Sequence, residues 1–224
     1  WICQQRSNGI GGTGVRASRM AIGPMAISAA VGGSFLVAGP VSAAGTPAIR
    51  TVFAGDDAYV SSTRAGVNFG AADKLAVGTT GAETRTSFVK FQVGAFPAGA
   101  TITNARLILP FDGTPATARI SAYPVTGGWT EAAVTAANRP AAAAAVAGSA
   151  VPRTTDPSVT IDLTSTVTKA GSYSFELRSA SATQVTRFLS AESGDQKTAG
   201  PRLVVNYVPA TQPAQPAKPA DCTT

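Results

Sequence analysis

From Thr51 onward the chain consists of short runs in which apolar and polar residues alternate, with Gly, Pro, Asn or Asp between one run and the next. A period of two puts successive side chains on opposite faces of an extended strand, so each run has one face to bury and one to leave outside. Val89, Phe91 and Val93 point one way while Phe88, Lys90 and Gln92 point the other. Similar alternation marks Leu107–Leu109, Ile120–Ala122, Val159-Ile161-Leu163, Tyr173-Phe175-Leu177, Val185-Arg187-Leu189 and Leu203-Val205-Tyr207. About eight to ten such strands, separated by turn residues, imply an all-β fold of two packed sheets, a β-sandwich. The one helix candidate, Ala132 to Ala150, is rich in alanine, but Pro140 divides it and no apolar face repeats. It is expected to be loop, with a short turn at Glu131–Thr135.

Composition removes several chemistries. The 224 residues contain no histidine, which excludes Ser-His-Asp and Cys-His catalysis, histidine metal ligands and the usual near-neutral acid/base within this chain. The formal charge is +6, but the first 44 residues hold Arg6, Arg16 and Arg19 and no acid, so the rest carries only +3. That balance lacks the clustered basic face expected of a nucleic-acid binder.

Three segments follow in order. Residues 1–44 contain Arg16 and Arg19, an apolar stretch from Met20 to Val41 and the small-residue site Val41-Ser42-Ala43-Ala44. This is the order of a secretory signal peptide, with cleavage expected near Ala43 or Ala44 and a secreted product. The competing reading, a permanent membrane anchor, is weakened by Gly23, Pro24, Gly32, Gly33, Gly39 and Pro40 and by the lack of a basic stop after Val41. Residues 45–208 hold the strands. Residues 209–224 carry a Pro at every third or fourth position, the composition of a semi-rigid linker. Cys222 near its end is expected to be a free thiol or one half of a disulfide with a further domain of the same polypeptide, Cys3 lying in the leader.

Between the strands lies Trp129-Thr-Glu131, then Val134-Thr135 and Asn138-Arg-Pro140. An ordered series surrounds it: Asp57-Ala-Tyr59, Asn68-Phe-Gly70, Leu75-Ala-Val77, Phe88-Val-Lys90-Phe91, Pro97-Ala-Gly99-Ala100, Ala105-Arg-Leu107, Asp162-Leu-Thr164, Phe188-Leu-Ser190-Ala-Glu192 and Pro201-Arg-Leu203. Taken together the series, over residues 50 to 208, resembles the DNRLRE domain, also described as carbohydrate-binding module family 96. Two positions depart from the family pattern: Ala136 replaces a second Trp, and Gln92 replaces an Asp. The resemblance implies a jelly-roll sandwich and a non-catalytic role in holding polysaccharide, including acidic chains such as alginate.

Candidate site residues carry alternative readings. Lys90, Arg106 and Arg178 face away from apolar neighbours, and Arg119, Ser121 and Tyr123 share one face opposite Ile120 and Ala122. If these meet on one sheet, guanidinium forks and a ring would suit carboxylate-bearing sugars; otherwise the charges keep the protein soluble and blunt edge pairing. Trp129 either packs its loop on the sandwich or stacks on ligand, and Asn138 is expected to tie its own loop. Jelly-roll connectivity would bring Asp56, Asp57 and Glu192 near one another, so Asp57 and Glu192 are candidate ligands for a structural Ca²⁺; turn capping by Asp57 and pairing of Glu192 with Arg187 or Arg202 is the plainer reading. Glu131 and Glu192 are the best-placed acids for glycosidase chemistry, but nothing sets them across a cleft, so no catalytic residue is assigned. Beside polysaccharide tethering of the downstream domain stands a second function class, a structural or adhesive surface module that contacts protein or envelope.

Overall fold

A computed structural model describes residues 45–194 and 199–210. In it eleven strands follow one another: β1 (Ala48–Phe53), β2 (Asp56–Ser61), β3 (Lys74–Thr80), β4 (Glu83–Val93), β5 (Thr101–Pro110), β6 (Ile120–Pro124), β7 (Gly148–Ala150), β8 (Ser158–Asp162), β9 (Gly171–Ser179), β10 (Val185–Leu189) and β11 (Arg202–Val208). They form a four-stranded sheet in the order β1-β11-β5-β8 and a seven-stranded sheet in the order β10-β3-β4-β9-β6-β7, with β2 also paired to β4. The strand pairings are antiparallel. The fold is the expected all-β sandwich.

The alternation dictates the core. Leu107, Leu109, Ile161, Leu203 and Val205 from the smaller sheet meet Val89, Phe91, Ile120, Phe175 and Leu177 from the larger one, each at most 1% exposed. Burying a side chain of this size contributes roughly 1.5–3 kcal/mol, so this two-sided layer is the main source of stability. On β10 the pattern differs from the expected face: Thr186 and Phe188 are buried, and Val185, Arg187 and Leu189 turn outward. Phe188 is the largest apolar group of that run, and it stacks on Phe111 at 5.6 Å between centroids; its burial sets the strand's face.

The stretch 132–150 is loop with a turn at Thr130–Val134, as expected, but its end forms β7 against β6. Gly148 allows this, because a Cβ there would collide with the Asp162 carbonyl. A second apolar cluster sits on the outer face of the seven-stranded sheet: Ala58, Val60, Phe88, Val125, Trp129 and Val134. Strand β4 is therefore buried on both faces at its centre. No helix among the described residues is long and apolar enough to cross a membrane. The expected leader, Cys3, Cys222 and linker residues from 211 onward lie outside the described residues.

Candidate functional site

The outer face of the seven-stranded sheet is organised by the β6–β7 loop. Trp129 is 8% exposed, packs edge-on against Phe88 at 5.7 Å and donates its indole N–H to Ser174 Oγ at 2.6 Å. These contacts pack its loop on the sandwich, the first of its two readings, and its ring also lines a cavity. Asn68 Nδ2 donates to the carbonyls of Glu131 and Val134 at 2.7 Å each, and Gly70 lies so close to the Glu131 carbonyl that a Cβ would collide with it. The Asn-Phe-Gly and Trp-Thr-Glu segments, with Asn68 and Glu131 63 residues apart in the chain, are thus two halves of one dock. Asn138 does tie its own loop: Oδ1 accepts from Thr135 N–H at 2.7 Å and Nδ2 donates to the Ala133 carbonyl at 2.9 Å.

Beside this dock a buried carboxylate anchors two arginines. Glu176 lies on β9, directly across from Phe88 on β4 and Tyr123 on β6, and is 2% exposed. Arg178 grips it through two bonds, Nε to Oε1 at 3.0 Å and Nη2 to Oε2 at 2.8 Å, while its guanidinium lies 4.3 Å from the Tyr123 ring centroid. These hydrogen bonds hold the Arg178 pKa above its ordinary value. Arg139 approaches the same carboxylate from the loop, Nη1 standing 3.7 Å from Oε1 and donating to Thr86 Oγ1 at 3.3 Å. Two cations on one anion leave a net positive charge, and both arginine side chains are nearly half exposed, at 44% and 46%. A charge-assisted fork fixed by a buried partner is preorganised for a planar anion.

The sequence candidates divide between two places. Arg178 and Tyr123 meet on this outer face, and Arg119 lies exposed just before β6 with the same parity, its carbonyl accepting from Ala180 N–H at 2.8 Å. Lys90 is on the same face but committed elsewhere: Nζ donates to Asp56 Oδ2 at 3.0 Å and to the Trp129 carbonyl at 2.5 Å, beneath the loop. Arg106 is on the other sheet, between Val204 and Asp162 on neighbouring strands, because outward parity on β5 points away from the whole sandwich. The five residues therefore do not form one groove. Glu176 and Arg139 were not among the candidates, although Glu176 sits two residues from Arg178, a spacing that puts both on one strand face.

Two open cavities are lined in part by the β6–β7 loop. One of about 470 Å³ is lined by Gly128, Trp129, Thr130, Ala133, Val134 and Asn138. Another of about 250 Å³ is lined by Val60, Ser62, Ala65, Thr84, Ala136 and Arg139.

The acidic candidates converge on the opposite side of β2. Asp57 is fully buried, its Oδ2 accepting Ala191 N–H at 2.8 Å. Burial, reinforced by the neighbouring Glu192 and Glu131 carboxylates and by a hydrogen bond with Glu192, pushes the Asp57 carboxyl up to about 8. Asp57 and Glu192 are neighbours as anticipated. Ca²⁺ takes six to eight oxygens, and no group of three or more potential ligand side chains is placed to hold a metal among the described residues. Glu131 accepts from Asp57 N–H at 3.4 Å and sits in the same carboxylate neighbourhood, so the two acids weighed for glycosidase chemistry both lie beside buried Asp57.

The family model described as carbohydrate-binding module family 96 matches residues 48–207, the whole sandwich apart from its last strand residue. No curated protein matches the chain.

Proposed function

The chain belongs to carbohydrate-binding module family 96, and from that premise we propose that it is a secreted, non-catalytic module that grips polysaccharide on the outer face of its seven-stranded sheet. Its work is to hold the domain expected beyond the linker at the glycan surface, where tethering raises effective concentration without any new chemistry. The three-part order of residues 1–44 supports export.

The observation that carries the choice of face is the Glu176 cluster. Arg139 and Arg178 are held on one buried carboxylate with Tyr123 beside them, which suits a chain bearing both ring faces and carboxylates. An acidic glycan such as alginate is the proposed ligand. The test is affinity electrophoresis of the protein in alginate gels against Arg139→Gln and Arg119→Ala. Retardation of the wild type, reduced in Arg139→Gln, supports the assignment. Equal retardation of both variants and wild type removes this face from the site.

One feature favours the adhesive reading. Ile49 and Phe53 are 71% and 37% exposed on the outer face of the four-stranded sheet, paired across to Asn206 and Arg202. An apolar edge of this kind suits contact with protein. Ile49→Ser would then weaken attachment to envelope preparations while leaving glycan retention unchanged.

A further inference from the structure

The smaller cavity beside the arginine cluster has features that an exposed basic patch does not need. Its floor is rigid: Val60 is 2% exposed within the same apolar cluster as Trp129, and Ala136 packs against that cluster. Its walls are hydrogen-bonded frame: Ser62 N–H donates to the Thr84 carbonyl at 2.9 Å, and Thr84 N–H donates to Ser62 Oγ at 2.9 Å. Ala137 N–H donates to the Ala65 carbonyl at 2.9 Å, joining the turn after β2 to the β6–β7 loop and closing the pocket on that side. At the rim stands Arg139. Both of its anchoring contacts, to Thr86 and to Glu176, use Nη1, which leaves the Nε–Nη2 edge of the guanidinium for a second planar partner.

The volume of about 250 Å³ lies below the roughly 300–1,000 Å³ of pockets that enclose drug-sized ligands. A volume of this size suits a single sugar ring. Ala65, Val60 and Ala136 offer the apolar surface for a ring face, and Ser62 and Thr84 offer hydroxyls for its edge.

We propose, resting on the glycan reading above, that this pocket takes the terminal ring of an acidic saccharide end-on, with the Nε–Nη2 edge of Arg139 on that ring's carboxylate. The chain would then leave the pocket toward Arg178 and Tyr123. The closed side formed by the Ala65–Ala137 bond is what makes the subsite read ends and not chain interiors.

The test is calorimetric titration of the full chain with uronic-acid oligosaccharides from two to eight residues, alongside Ala136→Trp and Arg139→Gln. The indole of Ala136→Trp points into the cavity and occupies it. The expected results are an affinity per oligosaccharide that levels off after the first two or three rings, and a loss of about tenfold or more in Ala136→Trp, the scale of a central contact. The melting temperature of Ala136→Trp should be equal to or above that of the wild type, because a void is filled. Arg139→Gln is expected to lose affinity for uronates selectively over neutral oligosaccharides. Affinity that keeps rising with length, or Ala136→Trp binding as the wild type does, overturns the end-on subsite while leaving glycan binding standing. Should Ala136→Trp fail to fold, the length series and Arg139→Gln decide the matter. A wild-type protein that binds no glycan at any length removes the functional reading and this inference with it.

Discussion

Replacing Asp57 with asparagine should alter how stability moves with pH more than stability itself at pH 5. Asp57 is fully buried with Glu192 and Glu131 beside it, and its carboxyl is pushed up from 3.8 to about 8 by burial first and by those neighbours after it. The folded state thus holds a proton that the unfolded chain releases. For an acid raised in this way, the stabilisation is complete below the unfolded pKa and is lost as pH rises toward the folded one. Each pH unit in that window costs about 1.4 kcal/mol for one proton. From pH 5 to 7 that is a ceiling of about 3 kcal/mol, and coupling to the neighbouring acids lowers it. Against a domain stability of about 5–15 kcal/mol, such a change is readily measured. The amide introduced by Asp57→Asn would accept the Ala191 N–H and donate toward Glu192, doing at every pH what the protonated acid does. Urea unfolding at pH 5, 6, 7 and 8 is the assay, with the m-value as the check that the transition itself is unchanged. The wild type should lose stability across the series and Asp57→Asn should lose much less, overtaking it by pH 8. A wild type that is flat or gains stability from pH 5 to 8, with Asp57→Asn strongly destabilised at pH 7, would refute the raised Asp57 carboxyl.

Other consequences follow from the same contacts. If Ca²⁺ completes the Asp57–Glu192 pair with backbone carbonyls, adding it at pH 8 should raise the unfolding midpoint and chelator should lower it; no response to either would count against an ion there. Trp129→Ala removes the cover of Phe88 and the bond to Ser174, and should cost about 3–5 kcal/mol in denaturant unfolding; a loss under about 1 kcal/mol would mean the loop does not stabilise the sheet. Gly70→Ala places a methyl against the Glu131 carbonyl and should cost roughly 1–3 kcal/mol, an effect that Asn68→Ala should not add to fully, since both residues hold the same loop. Arg178→Ala leaves Glu176 buried with the longer Arg139 contact; because Arg178 is itself 44% exposed, the cost should be about 1–3 kcal/mol, below that of a fully buried pair, and Glu176→Gln in the same chain should recover part of it. Equal stability of the single and double variants would show that no charge is stranded.

Much of this sandwich was legible because a period of two fixes faces whatever the partners are. Leu107 and Leu109, Phe175 and Leu177, and Leu203 and Val205 all turn inward as their alternation requires. The face of β10 was not, since Val185, Arg187 and Leu189 alternate as regularly as Thr186 and Phe188, and only the meeting of Phe188 with Phe111 decides between them. β7 was hidden for a different reason: three small residues with no apolar pattern form a strand because Gly148 can pass close to Asp162. For the site, parity identified outward charges but not which sheet carries them or what they meet. Arg106 and Arg178 look alike in sequence and lie on different sheets. Lys90 has the right parity and is covered by a loop whose path no local pattern reveals. Glu176 was within reach, as an acid two residues before an arginine on one strand face; Arg139 was not, because its role depends on the fold of the β6–β7 loop over β4 and β9.

The central claim is that this outer face binds glycan, and the most direct measurement is retention of the protein in native gels containing alginate, pectin, mannan, chitin or cellulose, with and without chelator. The account predicts selective retardation on alginate or pectin, insensitive to chelator and weakened by salt because the arginines are exposed to solvent. Passage through every gel at the rate of a non-binding control, by protein that unfolds cooperatively in urea, would contradict it.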